Sequence, residues 1–315
     1  MVDLKLQYQK GLDQSGRSVI FQSVKWLDIV AGKDNWIPLI ANKGAQITAV
    51  MPIIFNTKFG IKQVTIPALT PYLGPIFNYP NDLAEKNKSS FNQKALAELI
   101  SQIPKTDRFI THCDFNLTNW LPFAWNNYQQ TTRYSYLLDT SIEVLELFNN
   151  FKSNIKKEIK KAEKGFSISI AHSTKELFDL YEKDFKRKDE KILFEARLIE
   201  QLHQAFSPLE DLTILQAKNE NGVTIASICL VKDSNFLHYV LGAVDIEFRN
   251  KGVMSLLLWK GIELAKENRL TFNFEGSMHQ NIARYFASFG GQLTPYFRIT
   301  KVNHAVLKHI SKFHY

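Results

Sequence analysis

Cysteine is scarce, with only Cys113 and Cys229 in a chain of 315 residues. The two stand far apart and neither belongs to a Cys/His cluster, which excludes a disulfide framework and a zinc site and fits a reducing, cytoplasmic setting. Glycine and proline are also sparse, at 14 and 10 residues, too few for collagen-like repeats or low complexity. No uncharged apolar run reaches the roughly 18 residues that would suggest a membrane span. Met1–Lys10 alternates polar and apolar residues where a signal peptide would show an apolar block.

What is present describes an ordinary globular protein of two domains: 45% of residues are hydrophobic, 22% charged, and the length exceeds that of a typical single domain. Lys and Arg outnumber Asp and Glu by 39 to 31, a net charge of +8. That balance suits anionic partners such as phosphates, nucleic acid or an acidic membrane surface, and equally suits a merely basic surface.

In the first half, Phe21–Ala31 reads as a short amphipathic helix. Trp36–Ala41 and Ala45–Phe55 are β-branched runs joined by Asn42-Lys43-Gly44, and Ile61–Pro67 supplies a third strand. A Pro- and Gly-rich stretch, Leu69–Pro75, precedes a helix near Phe91–Ile103 and a strand at Phe109–Asp114. The second half begins with helices at Glu143–Asn150, Phe151–Lys164, Thr174–Lys188 and Ala196–Phe206. The strands Leu212–Lys218, Val223–Val231 and Phe236–Ala243 then form a meander with two polar turns. A helix at Gly252–Asn268, a strand at Leu270–Phe274, a helix near Gln280–Ser288 and a last strand near Thr294–Val302 follow. Each half offers helix, meander, loop, helix and strand, so a duplicated α/β (α+β) domain is expected, with boundaries at 1–135 and 136–315.

The halves differ after the third meander strand. There the second half carries Arg249-Asn250-Lys251-Gly252-Val253-Met254, a basic, Gly-containing entrance to an apolar helix. Free N–H groups and the helix dipole make such an entrance suitable for a pyrophosphate, and Arg249 and Lys251 add charge beside it.

An antiparallel meander that ends in Arg-x-x-Gly-x before a long helix, then strand, helix and strand, resembles the GNAT acyltransferases. Leu69–Pro75, Arg133–Asp139 (RYSYLLD), Ile155–Lys164 (IKKEIKKAEK), Phe274–Met278 (FEGSM) and Phe286–Gly291 (FASFGG) extend the resemblance over nearly the whole chain. Together they are similar to the FemAB-like branch, which is built from tandem GNAT domains. The resemblance implies a mixed, mostly antiparallel sheet flanked by helices in each domain. It implies acyl transfer to an amine without a metal, with acyl-CoA as donor co-substrate held by Arg249–Met254 and Leu241, or alternatively with aminoacyl-tRNA as donor. The acceptor expected is a small-molecule or peptide amine, placed between the domains near Tyr72, Arg133 and Tyr136. An oxyanion-binding N–H is implied near Val240–Gly242.

Among side chains, Glu275 closes a strand before Gly276 and is a candidate base, or else a cap for the next helix. His238 and Tyr239 alternate on one strand, so they face opposite sides; His238 suits a proton relay, and burial in the core is the rival reading for both. GNAT enzymes often place a general-acid tyrosine four residues before a Gly-Phe pair; here Phe286 occupies the position four before Gly290 and Tyr285 is one residue off. Met254 also replaces the last small residue of the Gly loop. These two departures raise a third possibility, a non-catalytic binding paralogue. The lysines of 151–164 offer a basic face for a phosphate backbone, or a solvated surface.

Overall fold

The computed structural model describes residues 2–303 apart from Ser18, Phe59 and Ser277. Ser277, part of the FEGSM segment, therefore lies outside the described residues. The chain divides into two compact units: residues up to Arg133 with those from Pro295 onward, and Tyr134–Thr294.

The first unit opens with α1 (Val2–Gln14) and α2 (Val24–Val30), the latter started by Ser23, whose side chain accepts from the Trp26 N–H. The alternating start of the chain is thus helical. Strands β1 (Trp36–Lys43), β2 (Gln46–Lys58), β3 (Ile61–Val64) and β4 (Ile76–Phe77) follow, then α3 (Glu85–Ser101), β5 (Arg108–Cys113) and the short α4 (Leu121–Trp125). The sheet runs β1-β2-β3-β5 and ends on the chain's last strand, with β4 paired to β2. Apart from the parallel β3–β5 pair, its recorded ladders are antiparallel. Leu39, Met51, Ile53, Leu96, Leu99, Phe109 and Phe123 fill one core cluster of this unit.

The chain crosses into the second unit within β6 (Gln129–Leu138). Then come α5 (Val144–Asn150), α6 (Ser153–Ala162), β7 (Ser167–Ile170), α7 (Lys175–Arg187) and α8 (Ala196–Phe206). The meander is β8 (Leu212–Lys218), β9 (Thr224–Lys232) and β10 (Phe236–Val244), followed by α9 (Val253–Glu267), β11 (Thr271–Asn273), α10 (Gln280–Ala287) and β12 (Gln292–Val302). This unit's sheet runs β6-β11-β10-β9-β8-β7, with only β10–β11 parallel among its recorded ladders. β12 returns to the first unit and pairs with β5 from Phe297 to Val302.

α9 is apolar on nearly every side because it is covered: Val253, Leu256, Leu257, Leu258, Ile262 and Ala265 are all buried. α6 shows the opposite pattern. It buries Ile155, Ile159 and Ala162 and leaves Lys157, Lys160 and Lys161 exposed, as are Lys152 just before it and Lys164 just after it.

Candidate active site

β10 and β11 run side by side from Phe236↔Thr271 to His238↔Asn273 and then part. β11 continues along β6, where the Phe274 N–H donates to the Tyr136 carbonyl. On its other edge β10 slips register against β9 between Tyr239 and Leu241. A slip of this kind leaves Val240 outside the regular ladder and bends the strand, and past His238 the edge of β10 that faced β11 is no longer paired with it, while Tyr239, Leu241 and Gly242 stay registered on β9. Gly242 leaves room here: a Cβ would overlap the Tyr239 ring, at 2.9 Å, and its hydroxyl, so the tyrosine could not keep this position. Tyr239 thus folds back over the slip, and burial raises its hydroxyl to about 12.

His238 points to the opposite face and is buried. Its Nδ1 lies 2.5 Å from Glu275 Oε1 and its Nε2 lies 3.0 Å from Asp233 Oδ2. With a carboxylate at each nitrogen, both must donate, and the ring is an imidazolium. Burial works against that charge, but the Asp233 and Glu275 carboxylates outweigh it and lift the ring to about 9. A cation of this kind has no vacant nitrogen with which to relay a proton at neutral pH. Glu275 is held further by Asn273, whose amide donates to Oε1 at 2.9 Å and whose Oδ1 accepts from the Glu275 N–H at 2.9 Å. Buried Ser135 donates to the same Oδ1 at 2.5 Å and accepts from the Gly276 N–H at 3.1 Å. Glu275 is not a helix cap, since α10 starts four residues beyond Gly276 with His279 at its N-cap. Its φ of +51° is a left-handed conformation that side chains rarely adopt.

On the α9 side, Ser255 Oγ donates to Glu158 Oε2 at 2.6 Å and lies 2.8 Å from the Tyr285 hydroxyl. Ser255 has one proton and gives it to the carboxylate, so Tyr285 is the donor to Ser255. The three groups form a directed chain, Tyr285 to Ser255 to Glu158. Burial, opposed by the Ser255 contact, raises Tyr285 well above an ordinary phenol, with smaller upward contributions from Tyr239 and Glu158.

The Arg249–Met254 entrance differs from an open anion cradle. Gly252 has φ +79°, and a Cβ there would lie 2.6 Å from the Glu158 carbonyl oxygen; α6 packs against this turn. Gly252, Val253 and Ser255 are buried, and Met254 packs on the core. Arg249 pairs with Asp184 at 2.9 Å, while Asn250 and Lys251 are exposed. Leu241 is half-buried just past the slip in β10. Of the expected acceptor residues, Tyr72 and Arg133 belong to the first unit, and Tyr136 packs on Phe286 in the second. Among the described residues no cluster of His, Cys, Asp or Glu could hold a metal ion, and no helix is long and apolar enough to cross a membrane. A hollow of about 670 Å³ lies at the other end of α9, around Asp139–Ser141 and Glu263–Thr271, away from this chemistry.

Glu158, Ser255, Asp233, Asn273 and Ser135 were not singled out by the sequence. Ser255 does leave a trace, as a polar residue within the apolar run that opens α9.

A family model described as an acetyltransferase (GNAT) domain matches residues 149–279. No curated protein matches the chain. Among solved structures, that of FemX superposes with a TM-score of 0.68 at 13% identity, covering 97% of this chain and 98% of that one. L-PGS from Bacillus licheniformis gives 0.58 at 11%, covering 96% and 94%. A tandem GNAT protein from the clavulanic acid biosynthesis pathway gives 0.51 at 9%, covering 92% and 95%. The matched segment, 149–279, holds the β10 slip, the Gly252 turn and α9, so that part of the chain is similar to a GNAT acetyltransferase domain, and the fold of the whole chain is that of FemX and of the tandem GNAT protein.

Proposed function

We propose that the protein transfers an activated acyl group to a primary amine, with the acyl carbonyl lodged where β10 leaves β11. The observation that carries this reading is the coincidence of the parting after His238↔Asn273 with the slip at Val240. Backbone N–H groups released there suit an oxyanion, a contribution usually among the largest in acyl transfer. The attacking amine must lose a proton. Tyr285 passes its own proton toward Ser255 and Glu158, which leaves its oxygen to accept one from the ammonium. His238 and Glu275 brace β10 against β11 behind the site.

For the donor we favour an aminoacyl ester carried by tRNA. Glu158 already faces the first turn of α9, and Arg249 is turned toward Asp184, which it shares with Arg187 and Lys188, so a pyrophosphate arm would meet a carboxylate at the helix entrance where it needs donors. The exposed lysines of α6 suit a polyanion instead. The second reading, an acyl-CoA donor, keeps the left-handed Gly252 turn in its favour. Offering labelled aminoacyl-tRNA and labelled acetyl-CoA in parallel, with a panel of amines, decides between them. Label reaching an amine from tRNA alone is the expected result; saturable turnover of acetyl-CoA overturns the donor assignment, and no transfer from either overturns the activity.

A further inference from the structure

The sheet of the second unit ends on β7, which among the described residues is paired on one side only, with β8. The Ala171 N–H donates to the Ile214 carbonyl at 2.8 Å, one step beyond the pair Ile170↔Leu215. Bonded and non-bonded residues alternate along an antiparallel ladder. The main-chain groups of Ser167 and Ser169 therefore turn toward β8, and those of Ile168 and Ile170 point outward. The side-chain hydrogen bond recorded on β7, from Gln216 to Ser169 Oγ at 3.2 Å, leaves those outward groups untouched.

The first unit treats its outer strand differently. On the open side of β1, Pro38 has no N–H to offer. The Ile40 N–H donates to Gln102 Oε1 at 3.2 Å, and the Ile40 carbonyl accepts from Gln102 Nε2 at 2.8 Å. The Asn42 N–H donates to Glu98 Oε1 at 3.0 Å. A proline and the side chains of a covering helix blunt that edge. β7 has neither, and it has no charge: Gly165–Ala171 (GFSISIA) holds no ionisable residue in a chain of net charge +8. Ile168 packs on the core of the second unit, while Ile170, on the same face, is 58% exposed. An uncharged, β-branched edge with free main-chain groups is a template for another strand.

We propose that the β7 edge docks the same edge of a second copy of this chain, antiparallel, across a twofold axis at Ser169. Parity sets the register. Outward residues of one strand must stand opposite outward residues of the other, so Ile168 faces the other copy's Ile170 and each such pair exchanges both of its N–H···O bonds. The exposed Ile170 gains the other copy's Ile168 as an apolar cross-strand neighbour, and the contact is self-complementary, as a twofold interface requires. The flanking charges agree. Glu163 and Lys164 precede the strand, and Lys175 and Glu176 follow it; antiparallel pairing brings the first doublet of one copy toward the second of the other, so each sign meets its opposite. A strand of four residues makes a small interface, and the dimer is therefore weak and concentration-dependent. It uses none of the groups assigned to acyl transfer.

The test is sedimentation velocity of the full chain, from dilute to concentrated solution. The mass is expected to rise from one chain toward two. Self-association should be at least tenfold weaker in Ile170→Lys, which charges the edge, and in Ile170→Pro, which removes an outward N–H and leaves the β8 ladder alone. Leu145→Lys on α5, an exposed apolar position elsewhere in the second unit, should change nothing. Should either Ile170 variant not fold, Ser169→Cys supplies a separate reading. On the axis the two Cα atoms of residue 169 form a non-bonded pair about 4.5 Å apart, within reach of a disulfide. Mild oxidation is expected to give a covalent dimer, with the native Cys113 and Cys229 buried and out of reach. A monomer at every concentration overturns the proposal. So do a dimer indifferent to both Ile170 substitutions, a Ser169→Cys chain that does not cross-link, and assembly beyond two copies.

Discussion

Glu275 and His238 stand 2.5 Å apart at the end of the β10–β11 ladder, and the proton between them belongs to the imidazole. The pair joins two strands that are about to separate, so its charge acts on the shape of the gap. Glu275→Gln removes one of the two carboxylates that hold the imidazolium and is expected to lower stability by roughly 3 kcal/mol. Chemical denaturation measures this directly. A loss of turnover with unchanged stability would instead make Glu275 a participant in the chemistry.

Stability should peak near the ordinary histidine range. His112 is held at about 4 in the folded protein, below its unfolded value, so between about 4 and 6.5 the unfolded chain binds the extra proton and stability rises with pH. His238 is held at about 9, above its unfolded value. Its contribution is complete below about 6.5 and is lost as pH rises toward 9. Melting temperature against pH should therefore rise and then fall, and His238→Gln should flatten the alkaline limb only. A wild-type profile flat from pH 6.5 to 9 would contradict the assignment.

Gly252→Ala should be costly for two separate reasons. The backbone there has φ +79°, and the new methyl would lie 2.6 Å from the Glu158 carbonyl oxygen. A loss of about 2 kcal/mol or more is expected, seen as a lowered melting temperature. Gly222→Ala, with a similar φ of +75° but no atom within 4 Å of its Cβ position, should cost less and separates the backbone effect from the clash.

Ser255→Ala breaks the chain between Tyr285 and Glu158. Turnover is expected to fall by about 100-fold, the lower range for a positioned proton acceptor, with stability changed by about 1 kcal/mol. The pH profile of the rate should move as well, which a purely structural serine would not cause. Unchanged turnover removes the relay.

Replacing Lys157, Lys160 and Lys161 of α6 and Lys164 just beyond it by Gln should leave the fold intact, since all four are exposed. Affinity for tRNA should drop and the slope of log affinity against log salt should become shallower. Equal slopes would assign that face to solvent.

The elements most legible in the sequence are those whose period and turns agree. The meander β8–β10, with polar turns after Lys218 and Lys232, lies within a residue or two of where alternation puts it. β7 is faint in the sequence because Ser167–Ile170 is only four residues long and largely exposed, so the alternation of Ile168 and Ile170 with two serines is too brief to stand out. The helix at the start of the chain is not legible in the sequence because α1 has a weak apolar stripe, Tyr8 and Leu12 being its buried hydrophobics among residues that alternate in polarity. In the site, Glu275, His238 and Tyr285 were visible as residue types at strand and helix ends. Their partners Asp233, Ser255 and Glu158 were not, because each lies far away in sequence or looks like a turn or surface residue until the chain folds. The pyrophosphate cradle was expected from Gly252 and Arg249, but the sequence gives no sign that Glu158 and Asp184 come to meet them.

The chain leaves the first unit at Arg133 and re-enters it at Pro295. A ribosome therefore finishes the whole of the second unit before β5 receives its neighbour β12. Until that strand emerges, the nascent first unit exposes an unsatisfied edge on β5, the kind of open strand that invites mispairing with other chains. Premature termination just before Pro295 would spare the later-encoded unit and cripple the one made first.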